Sequence, residues 1–358
     1  MFDTPFSLPQ LGWSHFFQQQ LSLEEWESTS PVRIMAVHRN SIDVAGKQGY
    51  WQAPMPGSWF TKDSEERPTV GDWLLLDSLT KQPLKILERK SLIRRRAAGI
   101  EAKVQLIAAN IDTLFIVTSC NQDFNLSRLE RYLLLALEAK VEPVLILTKA
   151  DLHNDLTGYF EKARSIDPTL AIEAVNALDS HSTAPLFFWC DIAQTVALVG
   201  SSGVGKSTLI NTLCGTAIQQ TATIREDDAK GRHTTTSRSL HFIPNGGLLI
   251  DTPGLRELQL SACPNGMTSL YEDIEVLAQS CRFKNCHHTM NEVGCAVTAA
   301  VTSGDLSIRR LTNYLKILAE QERNAETIAE RRRRDKNFSK LCRNVKTTHK
   351  KTKDGLWS

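Results

Sequence analysis

Thr195-Val196-Ala197-Leu198-Val199, continuing into Gly200-Ser201-Ser202-Gly203-Val204-Gly205-Lys206-Ser207-Thr208, decides the fold. The first five residues read as a buried strand, and KSTLINTLC (206–214) reads as a helix. Between them lies a complete G-x-x-x-x-G-K-[ST] pattern, in the strand–loop–helix context that lets such a loop cradle phosphate. Glycines allow the backbone to fold so that its N–H groups converge on phosphate oxygens. The helix N-terminus adds a favourable dipole. Lys206 would reach the β- and γ-phosphates, and Ser207 would hold Mg²⁺. The competing reading is a glycine-rich turn that merely fits the pattern; the flanking strand and helix weigh against it.

On both sides of this loop, strand-length apolar runs alternate with helical spacing. IDTLFIVT (111–118), VLILT (144–148), LAIEAV (170–175), SLHFI (239–243) and GLLID (247–251) read as strands, and LSRLERYLLLALEAK (126–140) as a helix capped by Asn125. That alternation predicts a largely parallel sheet covered on both faces, with ligands at the carboxyl ends of its strands. Downstream, Asp251-Thr252-Pro253-Gly254 ends one such strand. Asp251 would join the Mg²⁺ shell, and the Gly254 N–H would contact the γ-phosphate. Upstream, Thr148-Lys149-Ala150-Asp151 matches [NT]-K-x-D. The Asp151 carboxylate can accept from the guanine N1–H and amino group, a pairing adenine lacks, while the Lys149 stem covers the base. Asn176-Ala177 follows the next strand, where guanine sites place a backbone contact. GTP, or GDP, is the expected ligand.

The chain has 358 residues, 41% hydrophobic and 23% charged, which predicts a soluble, cytoplasmic, multi-domain protein. No window has the length and apolarity of a membrane span, and MFDTPFSLPQLGW lacks the pattern of a signal peptide, so no membrane partner is expected. Residues 1–30 read as a short helical extension. Short strands separated by turn signals over 31–98 predict an OB-like β-barrel, 105–260 the nucleotide domain, 261–337 a helical domain with a long helix from 305, and 338–358 a basic tail. Residues 331–358 hold eleven Lys/Arg against Asp335 and Asp354, a net +9 in a chain of net +2, so the rest is acidic. Arg331-Arg332-Arg333-Arg334 and Arg94-Arg95-Arg96 suit a polyanionic partner, although a charge run alone is more often a solvated face.

Cys281-x₄-Cys286-x-His288-x₆-Cys295 offers three thiolates and an imidazole, a closed tetrahedral set for one structural Zn²⁺. His287 is adjacent, and the spacing from Cys286 favours His288. The competing reading is a chance cluster of buried cysteines.

The motif order is base, phosphate, then Mg²⁺/γ-phosphate. In this it resembles the circularly permuted GTPases. QLIAANIDTLFIV, TKADL, GSSGVGKSTLIN, GRHTTTSRSL, DTPGLREL and CRFKNCHHTMNEVGCAV resemble one family among them, the ribosome small subunit-dependent GTPase A family (RsgA/YjeQ), over about residues 31–345. The resemblance implies an OB-like barrel, a permuted GTPase domain and a zinc domain. It implies a GTP hydrolase acting late in small-subunit assembly, stimulated by the 30S particle and touching 16S ribosomal RNA; a monomer is expected. Leu255 follows Gly254 where many GTPases carry the water-orienting glutamine. The candidate replacement is Gly231-Arg232-His233-Thr234-Thr235-Thr236, with His233 orienting water and Thr235, by resemblance, completing the Mg²⁺ shell. Two other readings stay open: a GTPase of RNA modification, and an RNA-binding module that uses GTP as a structural ligand.

Overall fold

The computed structural model describes residues 5–96, 104–215, 238–244, 246–251, 263–290 and 292–325. Its strands are β1 Thr29–Val37, β2 Ser41–Gly46, β3 Gly49–Pro54, β4 Trp73–Asp77, β5 Pro83–Ile86, β6 Leu92–Arg96, β7 Val104–Ala109, β8 Thr113–Ser119, β9 Glu142–Thr148, β10 Ala171–Val175, β11 Thr195–Val199, β12 Ser239–Phe242 and β13 Leu248–Asp251. The central sheet runs β10-β9-β8-β11-β13-β12, parallel through β13, with β12 antiparallel at its edge. Every residue of β8 and β11 is buried, as expected of strands covered on both faces.

The N-terminal strands are antiparallel, in order β3-β2-β1-β4-β5. They join the central sheet, because Ala36 of β1 pairs with Ser239 of β12. β6 falls in the expected barrel span but pairs with β7, on the nucleotide-domain side of the boundary, in a separate two-stranded ribbon. Arg33 of β1 strengthens this junction. It is fully buried and donates to the carbonyls of Leu11 (2.6 Å), Gly71 (3.3 Å) and Asn110 (2.8 Å), one from each of three segments. Burial pulls its pKa down to about 10, against the pull of Asp112 and Asp72, so it stays cationic at neutral pH.

The Leu126–Glu138 helix links the sheet to the C-terminal helices. Asn125 caps it, its side chain accepting from the Arg128 N–H at 3.0 Å. Its inward face, Leu129, Leu133 and Ala136 among others, is buried. Its far end meets the Pro264–Leu270 helix, where a Cβ on Gly266 would lie 2.7 Å from the Leu134 carbonyl; glycine permits that close approach. Glu130 is completely buried at this interface. Arg309 grips it in a fork (2.9 and 3.2 Å), Arg310 lies 3.6 Å away, and Asn313 and the Tyr271 hydroxyl also donate to it. Glu130→Ala would break a pair whose carboxylate is fully buried and take the acceptor from Arg309 and the buried Asn313 amide, and should cost about 3–5 kcal/mol of stability. Denaturant unfolding checks this; a loss under about 1 kcal/mol, the scale of an exposed pair, would mean the cluster is solvated.

The long C-terminal helix starts at Ile308, three residues later than Asp305 suggests. Ser307 supplies the cap, its Oγ accepting from the Arg310 N–H at 3.2 Å, while Asp305 accepts from Ser303 (2.6 Å) in the preceding turn. The helix is described to Ala325; the basic run Arg331–Arg334 and the tail lie outside the described residues. Among the described residues no helix is long and apolar enough to cross a membrane.

Candidate nucleotide and metal sites

Parallel β8, β9, β10, β11 and β13 end on one edge of the sheet, which collects the sequence-predicted motifs. Thr148-Lys149-Ala150-Asp151 follows β9, Asn176-Ala177 follows β10, Gly200–Thr208 follows β11, and Asp251 ends β13. β8 separates the base strand from the phosphate strand, and two inter-strand spacings give about 10 Å. That is the scale on which a nucleoside triphosphate spans from base to phosphates.

The phosphate loop is built on glycine. Gly200 has φ +149, and a Cβ there would sit 2.2 Å from the Val117 carbonyl of β8, so the loop lies directly on its neighbour strand. Gly203 (φ +77) and Gly205 (φ +95) make the turn that starts the Lys206–Cys214 helix. Val204 points into the core. The Lys206 ammonium donates to the carbonyls of Gly200 (2.7 Å) and Ser201. Ser207 and Thr208 open the helix, their N–H groups at its positive end.

Thr148 ties base loop to phosphate loop. It is fully buried, and its hydroxyl lies 2.6 Å from the Val204 carbonyl and 3.2 Å from that of Thr118. Lys149 sits in the left-handed region (φ +59), turning the chain so that Asp151 emerges exposed at the edge. Asn176 accepts from the Leu178 N–H (3.0 Å), and its own N–H donates to Ser182 (2.8 Å). The Ala177 carbonyl accepts from Thr212 of the phosphate-loop helix (2.7 Å). Asp251 is 6% exposed. Its charge is felt by Cys214, whose thiol is raised to about 11 mainly by burial, and by His241, which burial holds below its usual value. His233, Thr235 and Gly254 lie outside the described residues.

Sequence reading missed Arg128. One turn into its helix, it donates to the Ser201 hydroxyl at 2.5 Å and braces the back of the phosphate loop. No motif encodes a contact across so many residues.

In the C-terminal region the ligand atoms of Cys281, Cys286, His288 and Cys295 all lie within 4.8 Å of one another. His288 Nδ1 is 3.7 Å from Cys281 Sγ and 3.5 Å from Cys295 Sγ, and the two sulfurs are 3.9 Å apart. Tetrahedral zinc with bonds of about 2.3 Å to sulfur has edges of about 3.8 Å, so the donor set fits a metal. His288 is buried in the cluster, whereas His287 is exposed. A positive φ of 55° at His288 turns its ring inward. Glu292 accepts from the His287 and His288 N–H groups and fixes that turn. Burial opposes ionisation of Cys295, but Thr298, through its hydroxyl and N–H, and His288 outweigh it and bring the thiol down to about 6.

Comparison with known proteins agrees with this geometry. A family model described as RsgA GTPase matches residues 86–261, and one described as 50S ribosome-binding GTPase matches 195–329, beginning at the phosphate-loop strand. The chain is 52% identical to Small ribosomal subunit biogenesis GTPase RsgA 2 of Vibrio vulnificus, over 98% of each chain. It is 46% identical to Small ribosomal subunit biogenesis GTPase RsgA of Mesorhizobium japonicum, over 89% of this chain and 91% of that relative. Among solved structures it is similar to YjeQ from Thermotoga maritima (TM-score 0.57, 22% identity, 82% of this chain and 98% of that one). It is also similar to YloQ, titled a circularly permuted GTPase (TM-score 0.56, 23% identity, 84% and 97%). The structural neighbours share the fold, and the near full-length sequence identity settles kinship: this chain, a circularly permuted, GTP-hydrolysing enzyme, belongs to the RsgA GTPase family.

Proposed function

We propose that this protein hydrolyses GTP while bound to the small ribosomal subunit, is stimulated by it, and assists its late assembly. The observation that carries the reading is the gathering of base, phosphate and Asp251 motifs, in permuted order, on one sheet edge of a chain 52% identical to a small ribosomal subunit biogenesis GTPase. Asp151 selects guanine, with Lys149, Ala150, Asn176 and Ala177 framing the base. Gly200–Gly205 and Thr208 supply backbone N–H groups, and Lys206 holds the β- and γ-phosphates. Ser207, Thr235 and Asp251 hold Mg²⁺, which when bound neutralises charge on the phosphates. Gly254 contacts the γ-phosphate, and His233 orients water in place of a glutamine at Leu255. Cys281, Cys286, His288 and Cys295 hold structural Zn²⁺. Strands β1–β5 of the 31–98 span form an OB-like barrel, which with Arg94–Arg96, Arg331–Arg334 and the basic tail faces 16S ribosomal RNA in the 30S particle. The protein acts as a monomer in the cytoplasm.

The test is GTP turnover with and without purified small subunits. Strong stimulation supports the reading, and turnover indifferent to subunits overturns it. Asp151→Asn should weaken guanine discrimination about 10–100-fold, the worth of hydrogen bonds to a charged acceptor. Competition between GTP and its base analogues checks this; unchanged preference would remove Asp151 from the base site. His233→Ala should lower subunit-stimulated turnover about 10²-fold or more, the contribution of a positioned acid or base. Full stimulated turnover in that variant would assign the water to another group.

A further inference from the structure

The metal cluster holds a short loop whose outward side chains have no role in binding metal. Arg282, Phe283 and Lys284 stand between the ligands Cys281 and Cys286, and all three are exposed. Phe283 is 55% exposed, with the Arg282 guanidinium 5.4 Å from its ring centroid. On the facing side of the cluster Met290 and Val293 are 57% and 77% exposed. The two sides meet closely: the Arg282 backbone N–H donates to the Gly294 carbonyl at 3.0 Å, and a Cβ on Gly294 would lie 2.9 Å from the Arg282 side chain. From Cys281 to Met290 the chain has two cations and no carboxylate. The nearby Glu292 is turned inward onto the His287 and His288 N–H groups.

Single exposed apolar side chains are common on protein surfaces; what sets Phe283 apart is that cationic Arg282 and Lys284 flank its ring on the same loop. Here the ring is flanked by cations and held by a metal-closed loop, so its ordering cost falls on folding rather than on binding. A ring face plus adjacent positive charge is what an unpaired nucleobase and its phosphates require.

We infer that the Arg282-Phe283-Lys284 tip is a stacking platform for an unpaired base of RNA, with Phe283 under the base and Arg282 and Lys284 on the flanking phosphates. The inference rests on the small-subunit reading above and assigns one of its contact surfaces. An apolar tip entering a pocket on a ribosomal protein would be a different interaction, and the charge of this loop disfavours it.

The test uses the full-length, zinc-loaded chain with a non-hydrolysable GTP analogue and purified small ribosomal subunits. Dissociation constants are measured for wild type, Phe283→Tyr, Phe283→Leu, Phe283→Ala and Arg282→Ala/Lys284→Ala, with metal content and thermal unfolding as fold controls. Phe283→Ala and Phe283→Leu should each weaken binding about tenfold, the worth of one base stacked on an aromatic ring, and Phe283→Tyr should bind as wild type. Arg282→Ala/Lys284→Ala should flatten the log-affinity against log-salt slope by about 1.4, about 0.7 for each single-strand phosphate contact. Wild-type affinity in Phe283→Leu together with loss in Phe283→Ala would overturn stacking in favour of a protein pocket. Wild-type affinity in Phe283→Ala would remove the tip from the interface. Should Phe283→Ala lose its metal, the Tyr and Leu variants and the salt slope still decide. No binding by wild type would instead sink the small-subunit reading itself, which separates the two failures.

Discussion

Lys206→Ala should lower GTP turnover by at least about 100-fold, with or without small subunits, because a preorganised donor to the transferring phosphoryl group typically contributes about 10²–10³ in rate. The fold is not at risk in this variant. Lys206 opens a helix whose start is set by Gly205 at φ +95, and alanine is a good residue at such a position. Its bonds to the Gly200 and Ser201 carbonyls are among those lost, and the loop keeps other anchors. These are Val204 in the core, the Thr148 hydroxyl on the Val204 carbonyl and Arg128 on Ser201. A variant that unfolds would therefore point to a different role for the lysine. Single-turnover kinetics at saturating GTP separate lost chemistry from lost binding. Turnover within about tenfold of wild type would contradict the expectation, since Lys206 would then contribute less than about 1.4 kcal/mol to the barrier.

The nucleotide and metal motifs were legible because each is local. A phosphate loop needs one strand, one turn and one helix start, all contiguous from Thr195 to Cys214. The four metal-ligand candidates lie within fifteen residues. Even the Leu126–Glu138 helix and its Asn125 cap follow from spacing over one window. What was not legible is long-range. The pairing of Ala36 with Ser239 joins strands about two hundred residues apart, and pairing over such a separation leaves almost no trace in the hydrophobic pattern of either strand. The ribbon of β6 and β7 crosses the boundary that composition drew between modules. Arg33 looks like a strand's surface residue, and only the fold reveals three carbonyls converging on it. Glu130 reads as the polar face of an amphipathic helix, but that face is covered by the C-terminal helix with Arg309, Arg310 and Asn313. A polar residue's burial depends on what arrives from elsewhere, and periodicity in one segment cannot report it.

Cys295→Ser should abolish stoichiometric metal binding and, with it, stimulation by small subunits, while basal GTP turnover stays. The substitution separates two jobs of one side chain. Cys295 caps the Ala296–Ser303 helix, its Sγ accepting from the Thr298 N–H at 3.4 Å, and serine is among the preferred capping residues. The helix start therefore survives, and only the thiolate is lost. The segment it would release has little core of its own: between Cys281 and Cys295, His288 is the one buried side chain among the described residues. Metal binding, worth about 10–16 kcal/mol in small zinc modules, is then the chief restraint on that loop. The rest of the C-terminal region is held by separate means, Arg309 and Arg310 on Glu130 and Arg310 on Asp273 (2.8 and 2.9 Å). The GTPase sheet should accordingly keep its stability, and unfolding should be confined to residues near 281–295. Hydrogen exchange locates the change, and metal analysis with a turnover assay checks the rest. A Cys295→Ser protein that retains one zinc per chain would exclude Cys295 as a ligand. Global unfolding on chelation would show that the metal supports the nucleotide domain as well, and that the two ends of this chain are coupled more tightly than the Glu130 interface alone requires.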